Sequence, residues 1–191
     1  MRVISGTLRR RTLEAPAGLA TRPTSDRLRE TLFNVLAPRI EGAQFLDLYA
    51  GSGAVGIEAA SRGAASVVLV ERAPQALKML RSNLEKLGLR GGTHVKAVSV
   101  GAFLSRVRME SAATRFDVVF LDPPYEAAEE YAITLGLLGG AAAGWLAEGA
   151  VVIAEHRRQE KLEDAYGALR KTRVLEQGDA GLSFYDALPS S

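Results

Sequence analysis

Residues 45–71 read FLDLYAGSGAVGIEAASRGAASVVLVE. Phe45 to Tyr49 is a short apolar run of strand length, and Gly51 leads a helical stretch that continues to Arg62. Ser66 to Val70 is an unbroken β-branched and aliphatic run, the pattern of a strand covered on both faces. Strand, glycine-rich turn, helix and strand make a βαβ unit. Its right-handed crossover sets the two strands side by side and parallel.

The alternation extends downstream. Pro74 to Leu87 is a helix with Leu77, Leu80, Leu84 and Leu87 on one side, closed by Gly88. His94–Val98, Phe116–Leu121 and Gly149–Ala154 read as further strands, with a helix over 127–138. Thr172–Leu175 and Leu182–Tyr185 flank Gly178-Asp179-Ala180-Gly181, a hairpin pattern that ends the sheet with an antiparallel strand. Upstream, Leu28, Leu32, Val35 and Leu36 share one helix face, started by Thr24, Ser25 or Asp26 and ended by Pro38. Arg2 to Glu14 alternates around Ser5-Gly6 and reads as a short hairpin. The expected fold is α/β: a doubly wound, mostly parallel, seven-stranded Rossmann-like sheet with a terminal antiparallel strand and a small N-terminal β-hairpin extension. Residues 1–24 form the basic hairpin and a connector carrying Pro16, Gly18 and Pro23; residues 25–191 form the main domain.

Composition narrows the chemistry. The chain has 191 residues, 47% hydrophobic and 24% charged, which suits one well-cored domain. It has no Cys. That excludes disulfide scaffolds, Cys-ligated zinc, iron–sulfur clusters and any thiolate nucleophile, including covalent attack on a pyrimidine ring. Net charge is only +2, but the first 40 residues hold eight Arg against three acidic residues, +5, while the remainder is −3. A basic front on a mildly acidic body fits either a polyanion partner or a solvated face. No signal-peptide pattern follows Met1, and the uncharged stretch Tyr131–Ala147 is too short and Gly-rich to span a membrane. A cytoplasmic protein is expected.

Gly51-Ser52-Gly53-Ala54-Val55-Gly56 fits G-x-G-x-x-G, and Glu71 closes the next strand 20 residues after Gly51. Such a turn brings backbone close to a ligand, and Glu71 can accept from two ribose hydroxyls. A dinucleotide fits this pattern as well. Asp47 favours another ligand, because a carboxylate at the strand end opposes a pyrophosphate but attracts a cation such as the α-ammonium of S-adenosylmethionine. Asp47 can equally bond loop amides and fix the turn.

Asp122-Pro123-Pro124-Tyr125 follows the fourth strand directly. Asp122 and the Pro123 carbonyl make a pair of acceptors on a backbone stiffened by proline, and Tyr125 offers a flat face for a base. Two acceptors on an exocyclic amine favour its pyramidalisation and stabilise charge developing on nitrogen. The amine can then attack a sulfonium methyl, with no metal and no covalent intermediate.

These residues resemble a known family. Asp47-Leu-Tyr-Ala-Gly-Ser-Gly53 is similar to the cofactor motif of class I S-adenosylmethionine-dependent methyltransferases, and Asp122–Tyr125 to the catalytic motif of amino-group methylases. Arg2-Val-Ile-Ser-Gly6 together with Thr21-Arg-Pro-Thr-Ser-Asp-Arg-Leu-Arg-Glu-Thr-Leu-Phe-Asn34 resembles the bacterial 16S rRNA guanine-N2 methyltransferases of the RsmD type. The resemblance covers Met1 to about Tyr185. It implies methylation of one guanine of 16S rRNA within a 30S subunit or its precursor; a monomer is expected, with no metal and no membrane. It implies cofactor roles for Asp47, Tyr49, Gly51, Gly53 and Glu71, and for Arg22 and Thr24 in a loop near the cofactor. Asp122, Pro123, Pro124 and Tyr125 take the catalytic positions. Where the family carries Asp or Asn to meet the adenine amine, this chain has Ser99. Arg9, Arg10 and Arg11 would position RNA through phosphates, joined by Arg27 and Arg29 if these point outward.

Competing readings are methylation of adenine N6 or of a protein glutamine, a nicotinamide-dependent oxidoreductase, and a non-catalytic RNA-binding assembly factor. The first lacks a recognition domain for DNA. The second leaves Asp47 and Asp122–Tyr125 without a task, and the third leaves the catalytic motif unused. Trp145 reads as packing at a helix end, His94 and His156 as ordinary strand-end residues.

Overall fold

The computed structural model describes residues 1–15, 25–106, 114–124 and 127–188. Tyr125, Arg22 and Thr24 lie outside them. The helices are α1 Asp26–Ile40, α2 Ala54–Ser61, α3 Pro74–Leu87, α4 Val100–Leu104 and α5 Glu129–Leu138, with a 3-10 turn at Ala143–Trp145. The strands are β1 Gln44–Leu48, β2 Ser66–Val70, β3 Thr93–Lys96, β4 Phe116–Leu121 and β5 Leu146–Arg157. They are followed by β6 Ala165–Tyr166, β7 Leu169–Gln177 and β8 Ala180–Ala187.

One sheet holds them in the order β3-β2-β1-β4-β5-β8-β7-β6. β1 to β5 are parallel to their neighbours, whereas β8 pairs antiparallel with β5, and β7 with β8 and β6. The doubly wound parallel sheet is therefore as expected, with eight strands rather than seven. The additional strand is β6, which the sequence hides because it is two residues long and turns into β7 through Gly167 at φ 57°. The β7–β8 hairpin turns tightly at Gly178-Asp179, since Gln177 already pairs with Ala180. Pro38 does not end α1, which runs on to Ile40 before the backbone extends at Glu41. The N-terminal hairpin is reduced to one antiparallel bridge, Arg2 with Thr12, supported by backbone hydrogen bonds from Val3 N to Arg11 O and from Arg10 N to Val3 O.

Period-2 alternation sorts the strand residues between two cores. Phe45, Val67, Leu69, Val118, Phe120, Val151 and Ile153 face α1, α2 and α3, and Val3 and Leu13 join the same core. Leu46, Leu48, Val68, Val70, Val119, Leu121, Val152 and Ala154 face α4 and α5. On that second face Trp145 stacks on Phe103 at 4.8 Å and its Nε1 donates to Leu104 O, so the packing role expected for Trp145 holds. His156 is buried against Ser183 Oγ at 2.8 Å.

The N-terminal loop is fastened to the far end of α2. Thr7 N donates to Ser61 O, Leu8 N to Ser61 Oγ, and Ile4 N and Ser5 N to the two carboxylate oxygens of Glu58. A Cβ on Gly6 would lie 1.8 Å from Ser61 O, so only glycine lets this loop touch the helix. No helix among the described residues is long and apolar enough to cross a membrane.

Candidate active site

The parallel strands deliver their carboxyl ends to one edge, where a cleft of about 1520 Å³ opens. Open α/β sheets bind ligands at this edge, where the strand order reverses; here that point lies between β1 and β4. Asp47, Tyr49, Gly51, Glu71, Ser99, Asp122, Pro123 and Pro124 all line the cleft. Gly53 does not line it. Gly53 starts α2 at φ 82°, and a Cβ there would meet Leu80 Cδ1 at 2.3 Å. It sets the turn and seats α2.

Asp47 is buried and accepts from Gly56 N at 2.8 Å, so its Oδ2 fixes the start of α2. Gly56 is the third glycine of the turn: a Cβ would come 2.7 Å from Leu69 Cδ2 and 3.1 Å from Asp47 Oδ2. Burial pushes the Asp47 carboxyl up to about 7, the Gly56 amide opposes this, and the charges of Glu71 and Glu155 add to it.

Glu71 holds the turn from the next strand. One carboxylate oxygen accepts from Gly51 N at 2.9 Å, and the other from Arg72 N at 2.7 Å and Ala73 N at 2.8 Å. Oε1 is filled by two backbone donors, and Oε2 keeps a lone pair for a ligand hydroxyl. Tyr49 takes the left-handed region at φ 61° and turns its hydroxyl to Glu130 at 2.8 Å and Thr134 at 2.7 Å on α5. Burial raises its pKa above the usual phenol value, so it is a hydrogen-bonding neutral group. Ser99 caps α4, with its Oγ accepting from Ala102 N at 3.2 Å.

Asp122 leaves the end of β4, partly open to the cleft. Its carboxyl is held well above the usual range, first by the apolar surroundings and then by the negative charges of Glu155 and Asp47. Pro123 is buried and Pro124 exposed. Glu130, Arg72, Arg157, Arg158 and Gln159 also line the cleft, and sequence reasoning had not marked them. Glu155, buried on β5, was also missed. Its signal was available: it stands at the carboxyl end of a parallel strand, as Asp47 does.

The arginines divide. Arg9, Arg10 and Arg11 are exposed. Arg11 reaches the C-terminal end of α3, where its Nη2 donates to Lys86 O at 3.1 Å. The cleft lies at the opposite end of that 14-residue helix, about 20 Å away. Arg27 is exposed in the first turn of α1. Thr31, in the next turn, reaches Gln177 Oε1 at 3.2 Å, beside the cleft residues Glu176 and Asp179. Arg29 is corrected: its side chain is fully buried, not outward. It donates to Arg2 O and, at 2.9 Å, to Asp26 Oδ1, and its Nε stands 3.8 Å from Glu58 Oε2. It faces the core because it lies one residue from Leu28 and three from Leu32 on the apolar stripe of α1.

Residues 1–186 match the family model described as Conserved hypothetical protein 95. The chain is 41% identical over 181 residues to ribosomal RNA small subunit methyltransferase D of Escherichia coli K12, covering 93% of this chain and 86% of that one. The chain belongs to this family, the RsmD-type methyltransferases. Among solved structures, the putative methyltransferase yhhF of Escherichia coli matches over 100% of this chain and 99% of its own, with 33% identity and a TM-score of 0.82. A hypothetical protein of Thermus thermophilus matches 96% and 98% at 34% identity and a TM-score of 0.80. An RNA methyltransferase of Salinibacter ruber, solved with S-adenosyl-L-homocysteine, shares the fold at 16% identity and a TM-score of 0.62, over 89% of this chain and 96% of its own.

Proposed function

We propose that the protein transfers a methyl group from S-adenosylmethionine to the exocyclic N2 amine of a guanine in 16S rRNA, on a 30S particle or its precursor in the bacterial cytoplasm. One observation carries this reading: an acceptor-bearing turn, Asp122-Pro123-Pro124, stands in the same cleft as Asp47, the Gly51 turn and Glu71. Membership of the family and the 41% identity to a small-subunit rRNA methyltransferase support it.

The cofactor supplies an electrophilic sulfonium methyl. Glu71 accepts from a ribose hydroxyl with the lone pair that its backbone partners leave on Oε2. Ser99 Oγ, already accepting from Ala102 N, keeps its hydrogen to donate to a ring nitrogen of the adenine. The carboxylates at the ends of β1 and β4 attract the positive end of the ligand. Asp122 Oδ and the Pro123 carbonyl hold the two hydrogens of the guanine amine, aim its lone pair at the methyl, and stabilise the charge that forms on nitrogen. Asp122 takes the proton after the new C–N bond has formed. Tyr125 stacks on the base, and Arg22 and Thr24 contribute to the cofactor site. Gly53 sets the turn.

Arg27 contacts RNA beside the cleft, and Arg9 to Arg11 contact phosphates about 20 Å from the reacting base. The protein acts as a monomer without a metal. Radiolabelled methyl transfer to 30S particles, 16S rRNA, DNA and protein tests the substrate. Label is expected in one 16S guanine, and Asp122→Ala should lower the rate roughly 10²–10³-fold with cofactor affinity little changed. Label in DNA or protein but not in 30S particles overturns the reading.

A further inference from the structure

We propose that Arg158 is the phosphate-binding residue of the RNA half of the cleft, held in place by Glu176 so that its guanidinium grips a phosphate next to the guanosine whose base lies at Asp122. The inference deepens the function proposed above and rests on it.

Sheet order divides the cleft in two. The strands run β3-β2-β1-β4-β5, and the antiparallel pair β8-β7 follows β5. Glu71, the Gly51 turn and Ser99 come from the ends of β2, β1 and β3, all on one side of Asp122 at the end of β4. Arg158, Gln159 and Glu176 line the same cleft from the other side, beyond β5. With the methyl donor on the first side, the nucleotide that brings its amine to Asp122 occupies the second.

The scale fits. Leu121 pairs with Ala154, so Asp122 stands level with Glu155. Arg158 is three residues further along the chain, about 10 Å toward the mouth at ~3.3 Å per residue. That step is the span of one nucleotide, from the edge of its base to its phosphate.

Arg158 is exposed, yet fixed at both ends. Its backbone N donates to Asp179 O at 2.8 Å, continuing the pairing one residue beyond Arg157 and Ala180. Its Nε lies 2.8 Å from Glu176 Oε2. That pair uses Nε and leaves the Nη groups to donate, a planar fork that fits two phosphate oxygens. Fastening the hairpin is a task already filled. β7 and β8 pair from Leu169–Ala187 to Gln177–Ala180, Thr31 Oγ1 lies 3.2 Å from Gln177 Oε1, and an exposed ion pair adds little to stability. Electrostatics gives the arginine a different use. Asp47, Glu71, Asp122 and Glu130 line the cleft. They suit a cationic cofactor and repel an RNA backbone, so a cation is needed where that backbone passes.

Methyl transfer to 30S particles, followed as kcat and KM at several salt concentrations, tests this, with calorimetric affinity for S-adenosylhomocysteine alongside. Arg158→Ala should raise KM for the particle roughly 10-fold, with kcat and ligand affinity unchanged. Its log KM should climb with log salt less steeply, by about 0.7, the loss of one single-strand phosphate contact. Arg158→Lys keeps the charge and should keep the wild-type salt slope. Arg81→Ala, which removes an exposed charge on α3 outside the cleft, should change neither quantity. If Arg158→Ala does not fold, Arg158→Gln, which can still donate to Glu176, carries the same expectation. An unchanged KM, a fall in kcat without a rise in KM, an unaltered salt slope, or an equal effect from Arg81→Ala overturns the proposal. Failure of the wild-type protein to label 30S particles would refute the function proposed above instead.

Discussion

The two faces of one sheet are made from alternate residues of the same strands, yet they are built differently. The α1–α3 face buries Arg29, Asp47, Glu58 and Glu155 among its aliphatic side chains. The α4–α5 face is closed by Phe103, Phe116 and Trp145, with ring centroids at 4.8 and 5.8 Å, and its buried polar groups are neutral. His156 belongs there, and burial lowers its pKa. Buried charge costs several kcal/mol per ion unless it is paired, so a fold that needed only stability would build both faces like the second. The charged face is the one that carries Asp47 to the cleft and meets the N-terminal loop. Its carboxylates are placed for a ligand, and Arg29 and Glu58 join α1, α2 and the first residues of the chain.

Cutting into each face should separate the two designs. Glu58→Ala leaves the buried Arg29 with one of its two carboxylate partners, Asp26, frees Arg62 and removes the acceptor of Ile4 N and Ser5 N. A loss of about 3–5 kcal/mol in denaturant unfolding is expected, and Glu58→Gln should recover little of it because the charge is what is missing. Trp145→Ala should cost a comparable ~3–5 kcal/mol through a cavity, but Trp145→Phe should recover much of that, since the stack on Phe103 survives. Equal rescue by the two conservative changes would erase the contrast.

Asp47 gives a gain in place of a loss. Its folded pKa, about 7, lies above the unfolded carboxylate value. The folded state thus holds a proton that the unfolded state gives up between pH 4 and 7, and stability falls across that window as pH rises. Asp47→Asn removes this penalty. Relative to wild type, the empty variant should match at pH 3 and gain on the order of 4 kcal/mol by pH 8, while binding S-adenosylmethionine more weakly. A stability difference that does not change with pH would show that folding leaves the Asp47 carboxyl titrating where it does in the unfolded chain. The smallest effect should come from Ser99→Ala. It removes the cap of α4 at about 1 kcal/mol, with adenine affinity reduced, and thermal unfolding with and without ligand separates the two.

Much of this was readable from residues. The βαβ order from Phe45 to Glu71, the Asp47 and Glu71 strand ends and the Asp122–Pro124 turn were legible because local periodicity and turn chemistry specify them. Arg29 was misread because a charged residue on an amphipathic helix reads as solvated; only the fold shows that Asp26 and Glu58 wait beside it. Glu155 was overlooked because no glycine turn follows it. The arginine loop was correctly seen as exposed, but its distance from the cleft depends on which end of α2 and α3 it grips. The two-residue β6 carries no periodic signal at all.

The chain contains a single tryptophan, Trp145. Its indole rests on Phe103 and donates to the last carbonyl of α4, the helix that Ser99 begins at the cleft wall. Any ligand that tightens that short helix changes the surroundings of one intrinsic fluorophore. Emission from the unlabelled protein can therefore follow occupancy in real time, without a dye and without RNA.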